Sequence, residues 1–191
     1  MVEYPAVSMK RYATELEAAL RRVAEPEWTF EALVCHRSVQ VEKWIPGASG
    51  ESWASRVGRF VKYPQMARKA VGDVYHVLDH SHANLINSIP NSKAVLTCHD
   101  IIPYLAAKGL VPIPADRFTS ITFPLVRIAA MKRCRYVIAI SENTKRDLIE
   151  HAKLDPEQVP VVYYGVNPNF QALPGEEAAQ ERCSLRKEYG I

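Results

Sequence analysis

The sequence predicts an α/β fold, a parallel sheet covered by helices on both faces, and three observations carry that expectation. Short β-branched runs alternate with longer helical patterns, which is the order of strand-helix-strand units. The clearest strands are apolar along their length, as strands buried on both faces are. The chain has 191 residues and is 48% hydrophobic, enough for the core of one domain rather than two.

Taken in order, Met9 to Val23 reads as a helix, because Met9, Tyr12, Leu16, Leu20 and Val23 recur at steps of three and four along one face. Trp28 to Val34 reads as a strand and Val39 to Trp44 as a second, short one. Pro46, Gly47, Ser49 and Gly50 mark a loop. Trp53 to Val71 is then amphipathic and helical, with a break expected near Pro64. Asp73 to Leu78, Ala94 to Cys98, Tyr136 to Ile140 and Val159 to Tyr163 are the four buried strands. Glu142 to Lys153 is helical, with Ser141 placed to accept a backbone hydrogen bond at its start. Gly175 to Gly190 is a polar, helix-like segment that suits a linker or an edge helix better than core, and the chain reads as cut at Gly190-Ile191.

Composition excludes several classes. The 24 basic residues against 21 acidic ones leave a net charge of +3, far from the dense positive charge of phosphate-tracking proteins, so no nucleic-acid partner is expected. The cysteines Cys35, Cys98, Cys134 and Cys183 form no C-x-x-C pair, which argues against structural zinc and a disulfide framework and suits a reducing cytoplasm. No basic-then-apolar leader opens the chain, and the best apolar stretch, Thr119 to Met131, is too short to span a bilayer and contains Arg127. A soluble cytoplasmic protein is expected, or one peripheral to a membrane.

In open parallel sheets ligands sit beyond the carboxyl ends of the strands, where loops converge and helix amino termini point positive charge. The residues just after each predicted strand are therefore the site candidates. They are Asp79, His80, Ser81 and His82, then His99 and Asp100, then Ser141, Glu142 and Asn143, then Gly165, Val166 and Asn167.

Asp73-Val-Tyr-His-Val-Leu-Asp-His-Ser-His82, Thr97-Cys-His-Asp-Ile-Ile-Pro103, Ala139-Ile-Ser-Glu-Asn-Thr-Lys-Arg-Asp-Leu148 and Val161-Val-Tyr-Tyr-Gly-Val-Asn-Pro-Asn-Phe170 together resemble the amino-terminal domain of retaining GT-B glycosyltransferases of family four. Their order and spacing match over residues 73–170. The resemblance implies a Rossmann-like, doubly wound domain over residues 1–172, the acceptor side of a two-domain enzyme, with 173–191 leading to a second, nucleotide-sugar domain beyond Ile191. It further implies transfer of a sugar, with retention, from a nucleotide-sugar to a saccharide or lipid-linked acceptor; no metal or other cofactor is expected, and the 191-residue piece alone is expected to be inactive.

His99 matches the histidine that the family places beside the transferring sugar, where it hydrogen-bonds a sugar hydroxyl and its backbone carbonyl steadies developing positive charge. A buried histidine satisfied by loop backbone is the alternative. Asp79, His80, His82 and Asp100 are the acceptor-binding candidates, and Asp100 serves equally well as a turn former. Ser8, Ser141 and Asn143 are secondary cleft candidates, with helix capping the default role of Ser141. A metal at His76, His80 and His82 is not expected, because strand alternation sends His76 to a sheet face.

Two departures from the family pattern stand out. Only Met1 to Pro5 stand where a full first strand belongs, and Pro5-Ala6-Val7-Ser8-Met9 lacks the glycine that allows close approach to phosphate. Asn167 stands where an aspartate often follows Gly-Val. Arg56, Arg59, Lys62, Arg68 and Lys69, with Trp53, Phe60 and Tyr63, suit an anionic membrane surface or a lipid phosphate, although a solvated helix face explains them as simply. A dinucleotide-dependent oxidoreductase or epimerase is disfavoured because no G-x-G-x-x-G follows any strand. A non-catalytic half-domain serving another glycosyltransferase as partner or regulatory subunit is the remaining alternative.

Overall fold

The structure, a computed structural model, describes residues 7–33, 58–113, 118–166 and 172–190. The expected strand Val39 to Trp44, the Met1 to Pro5 segment, the start of the Trp53 to Val71 helix, Cys35 and Asn167 lie outside the described residues.

Three strands, β1 (Tyr75–Val77), β2 (Ala94–Cys98) and β3 (Tyr136–Ala139), form a parallel sheet in the order β1-β2-β3 among the described residues. Val77 lies opposite Leu96, Leu96 opposite Val137, and Cys98 opposite Ala139. The fourth expected strand, Val159 to Tyr163, is reduced to one parallel bridge between Val161 and Ala139. Pro160 accepts from the Ala139 N–H at 2.9 Å but has no N–H of its own to extend the ladder, and Val162 and Tyr163 stand 54% and 65% exposed. The expected strand Trp28 to Val34 is irregular over its described part, residues 28–33, where a turn bond from Trp28 N–H to Glu25 O (3.0 Å) opens it. Among the described residues its β-propensity finds no neighbouring strand, and Trp28 is left 61% exposed.

Paired residues share a face of a parallel sheet, so Val77, Leu96, Cys98, Val137 and Ala139 look one way and His76, Thr97 and Ile138 the other. The first face is the hydrophobic core. Ala83 and Ile86 come to it from a 3-10 helix (His80–Ser88). Tyr104 and Leu105 come from α3 (Ile102–Ala107), Ile128 and Met131 from α4 (Phe118–Met131), and Leu148 from α5 (Glu142–Glu150). The second face meets α1 (Val7–Val23), whose Tyr12 hydroxyl lies 3.2 Å from Thr97 Oγ1. Helices therefore cover both faces, the Rossmann-like arrangement expected. Gln158 locks the far end of the core by donating to the carbonyls of Met131 (3.0 Å) and Cys134 (2.7 Å).

Over its described part the Trp53 to Val71 stretch does not break near Pro64 but changes helix type there: a π-helical turn (Gly58–Lys62) runs directly into α2 (Tyr63–Lys69), with Lys62 itself helical (φ −66°, ψ −49°) and proline in the first turn of α2. The polar segment is a helix, α6 (Gly175–Tyr189), closed by Gly190 at φ 66° and with no buried residue.

Candidate functional site

The carboxyl ends of the three strands deliver Asp79, His99 and Ser141 to one edge of the sheet. His99 follows directly on the central strand, and its ring is held on both sides. Its Nε2 lies 2.9 Å from the Leu78 carbonyl, and its Nδ1 meets the Tyr164 hydroxyl. A carbonyl can only accept, so Nε2 carries the proton, and in the neutral ring Nδ1 accepts from Tyr164. Tyr12 packs edge-on against the same ring at 5.3 Å between centroids, and His80 lies at 6.1 Å. The backbone carbonyl of His99 accepts from Thr144 Oγ1 at 3.2 Å, which leaves one lone pair for another partner. Burial, followed by its negative neighbours, pushes the Tyr164 hydroxyl up to about 12, so it stays a donor at neutral pH.

Beneath His99 on the second sheet face, Thr97 Oγ1 joins His76 Nε2 (2.8 Å) and the Tyr12 hydroxyl (3.2 Å). His76 thus points to a face, as alternation requires, and burial lowers it to about 4.

Asp79 caps the 3-10 helix: Oδ1 accepts from Ser81 N–H at 2.7 Å and Oδ2 from Ser81 Oγ at 2.6 Å. Burial alone would raise its carboxyl, but the Ser81 hydrogen bonds and the charges of His80 and His82 outweigh it and hold the group below the usual range. His82 is buried against Tyr63 with its Nδ1 3.0 Å from Ser81 Oγ, and burial lowers it to about 4, helped by Arg59. His80 Nδ1 is buried without a hydrogen-bond partner, 3.5 Å from Asp79 Oδ1. Burial lowers His80 as well, against the charge of Asp79. Of these loop candidates, Asp79 and His82 are engaged inside the protein and His80 lies beside His99.

Asp100 forms the turn into α3, its Oδ1 accepting from Ile102 N–H at 3.0 Å. Ser141 is the N-cap of α5, accepting from Thr144 N–H at 3.1 Å, and the capped Thr144 is the residue that reaches back to His99. Asn143 is exposed and bonds along its own helix to Asp147 and Arg146. Ser8 is exposed in the first turn of α1.

Sequence reasoning missed Tyr12, Thr97, Thr144 and Tyr164 as members of the site. Tyr12 counted as one more apolar position on a helix, and Tyr164 fell between the expected strand Val159 to Tyr163 and the loop candidates that start at Gly165. An apolar cavity of about 330 Å³ lies beside β1, lined by Leu16, Leu20, Val74 and Leu85 and also by His76, Asp79 and His82. Its walls do not include His99. Among the described residues no group of three or more His, Cys, Asp or Glu side chains could hold a metal ion, and no helix is long and apolar enough to cross a membrane.

The sequence matches the family model of Glycosyltransferase Family 4 over residues 13–170. It is also 25% identical over 146 residues, 74% of this chain, to two sequences of the serotype-specific mannosyltransferase WbdA from Escherichia coli. The match covers 17% and 16% of those proteins, so the chain spans about one-sixth of the curated relatives it matches.

Proposed function

Since this chain belongs to Glycosyltransferase Family 4, we propose that it forms the acceptor-side half of a two-domain glycosyltransferase, with residues 1–172 as the domain and 173–191 as the link to its nucleotide-sugar half. The reaction is transfer of a hexose from a nucleotide-sugar to a saccharide or lipid-linked acceptor with retained configuration. The bond from the anomeric carbon to the nucleoside diphosphate breaks, and one to an acceptor hydroxyl forms on the same face.

The observation that carries this reading is His99, fixed at the end of the central strand by Leu78 O and Tyr164 and cornered by Tyr12. With Nε2–H committed to backbone, Nδ1 is an acceptor poised for one hydroxyl. A sugar hydroxyl enters by replacing that of Tyr164. The His99 carbonyl accepts from Thr144 with one lone pair, and the other supplies negative potential where charge develops on the sugar. Both contributions are positioning and electrostatics, which need no reorganisation in the transition state. Asp79, Asp100 and Ser141 shape the loops around this histidine. Ser8 and Asn143, both exposed, are reserved for the outer wall of the crevice.

The test is glycosyl transfer by the intact protein over a panel of nucleotide-sugars and acceptors, beside His99→Ala. A fall of about 100-fold or more is expected, the size of losing a preorganised electrostatic group. Transfer undiminished in His99→Ala removes His99 from the reaction, and no transfer by the wild-type protein with any donor and acceptor leaves the partner-subunit reading.

A further inference from the structure

We propose that Arg59 and Arg127 form a phosphoryl-binding site at the rim of the crevice, and that it takes the phosphate of an amphiphilic, lipid-linked acceptor. The naming of the ligand as acceptor rests on the glycosyltransferase reading; the phosphoryl site does not.

Two side-chain contacts build the site. Phe60 stacks on Phe123 with centroids 5.6 Å apart and planes 29° apart, which clamps the π-helical turn onto α4. Arg59 adjoins Phe60, and Arg127 follows Phe123 by one helical turn. Asn84 Nδ2 donates to the Arg59 backbone carbonyl at 3.1 Å, tying the turn to the 3-10 helix that starts at His80. Both guanidinium charges bear on His82 at that end, and Arg127 also bears on His80.

Among the described residues neither arginine makes an ion pair. Burial lowers Arg127 from its usual value and the charge of Arg59 lowers it further. Asp79 is the acidic group whose charge reaches Arg127, and both its oxygens are taken by Ser81. Two like charges held together, one of them half-buried, form an arrangement that a dianion relieves, and the planar forks of arginine match phosphoryl oxygens.

The same rim is apolar. Phe60, Val61, Phe123 and Val126 stand 44%, 46%, 41% and 53% exposed. An apolar surface adjoining a phosphoryl site fits a phosphate that carries a hydrocarbon chain better than a free one.

The intact protein is sedimented with phosphatidylcholine vesicles containing phosphatidic acid, and with vesicles brought to equal charge by oleate. Binding of inorganic pyrophosphate is measured by calorimetry. Tight binding to the phosphatidic acid vesicles is expected, with Arg59→Gln and Arg127→Gln each weaker by about tenfold or more. Val126→Ser, on the exposed apolar rim and outside the Phe60–Phe123 stack, is expected to weaken vesicle binding and leave pyrophosphate binding unchanged. Thermal melts show which variants fold, and Arg127→Lys, which keeps the charge but loses the fork, stands in if Arg127→Gln does not. Arg59→Gln binding like wild type overturns the site. Equal binding of oleate and phosphatidic acid vesicles overturns it in favour of general attraction to an anionic surface. Pyrophosphate binding without vesicle binding keeps the phosphoryl site and overturns the lipid source. No sugar transfer enters these measurements, so failure here is distinct from failure of the His99 test.

Discussion

At the scale of single residues, Thr97 joins the sheet to the candidate site. Its fully buried hydroxyl serves both His76 and Tyr12, and Tyr12 in turn corners His99. Thr97→Val keeps the shape and strands both partners, so a loss of about 1–3 kcal/mol is expected in urea unfolding. A change below about 0.5 kcal/mol would mean the two groups find other partners. The buried histidines also set an acid limit. His76 and His82 stand at about 4 in the folded chain against the usual 6.5, so the unfolded chain binds the extra protons between those values. Their stabilising contribution is whole above about pH 6.5 and is lost as pH falls towards 4. The melting temperature should drop through that window, less steeply in His76→Gln; a flat profile would contradict the neutral, buried state of both rings. Asp79, held below its ordinary 3.8, loses its contribution only at still lower pH, so its effect is separable.

At the scale of elements, the Ser141 cap was legible and the weak strands were not. Ser141 and the helix it starts could be read from a Ser before a polar, helix-forming run, and Ser141→Ala should cost about 1 kcal/mol by denaturant titration. The same substitution should loosen Thr144 and, through it, the carbonyl of His99, an effect visible as a shift of the His99 amide and carbonyl resonances. Ala94 to Cys98 is a strand over the very residues its apolar run predicts, because every second side chain reaches the core and both neighbours pair with it. Leu96, with no exposure at all, lies in its middle; Leu96→Ala should cost about 2–5 kcal/mol, measured by the same titration. Trp28 to Val34 carries a similar composition and fails over its described residues, since a strand needs a partner that composition does not name.

At the scale of the whole molecule, stability is concentrated on one sheet face. The core gathers Leu96, Val137, Ile86, Met131 and Leu148 there, while α6 buries nothing. Removal of residues 175–190 should therefore move the melting temperature by no more than about 2 °C; a drop of several degrees would show that α6 is part of the folded unit. The second face is more polar, with His76 and Thr97 where an apolar pair would be the simpler solution, and it leads directly to His99.

The sequence by itself determined the α/β class, three of the four buried strands, the irregularity of the helix near Pro64, the Ser141 cap and the strand-end histidine, because periodicity, proline and capping chemistry act within a few residues. It also placed Asp79, His80, His82 and Asp100 after their strands. Only the tertiary structure decided that Asp79 caps a helix and is spent on Ser81, that Asp100 closes a turn, and that Tyr12 and Tyr164, 152 positions apart in the numbering, close on one imidazole. Which partner a polar group takes depends on what packing carries to within about 3 Å, and a sequence pattern holds no record of such distances.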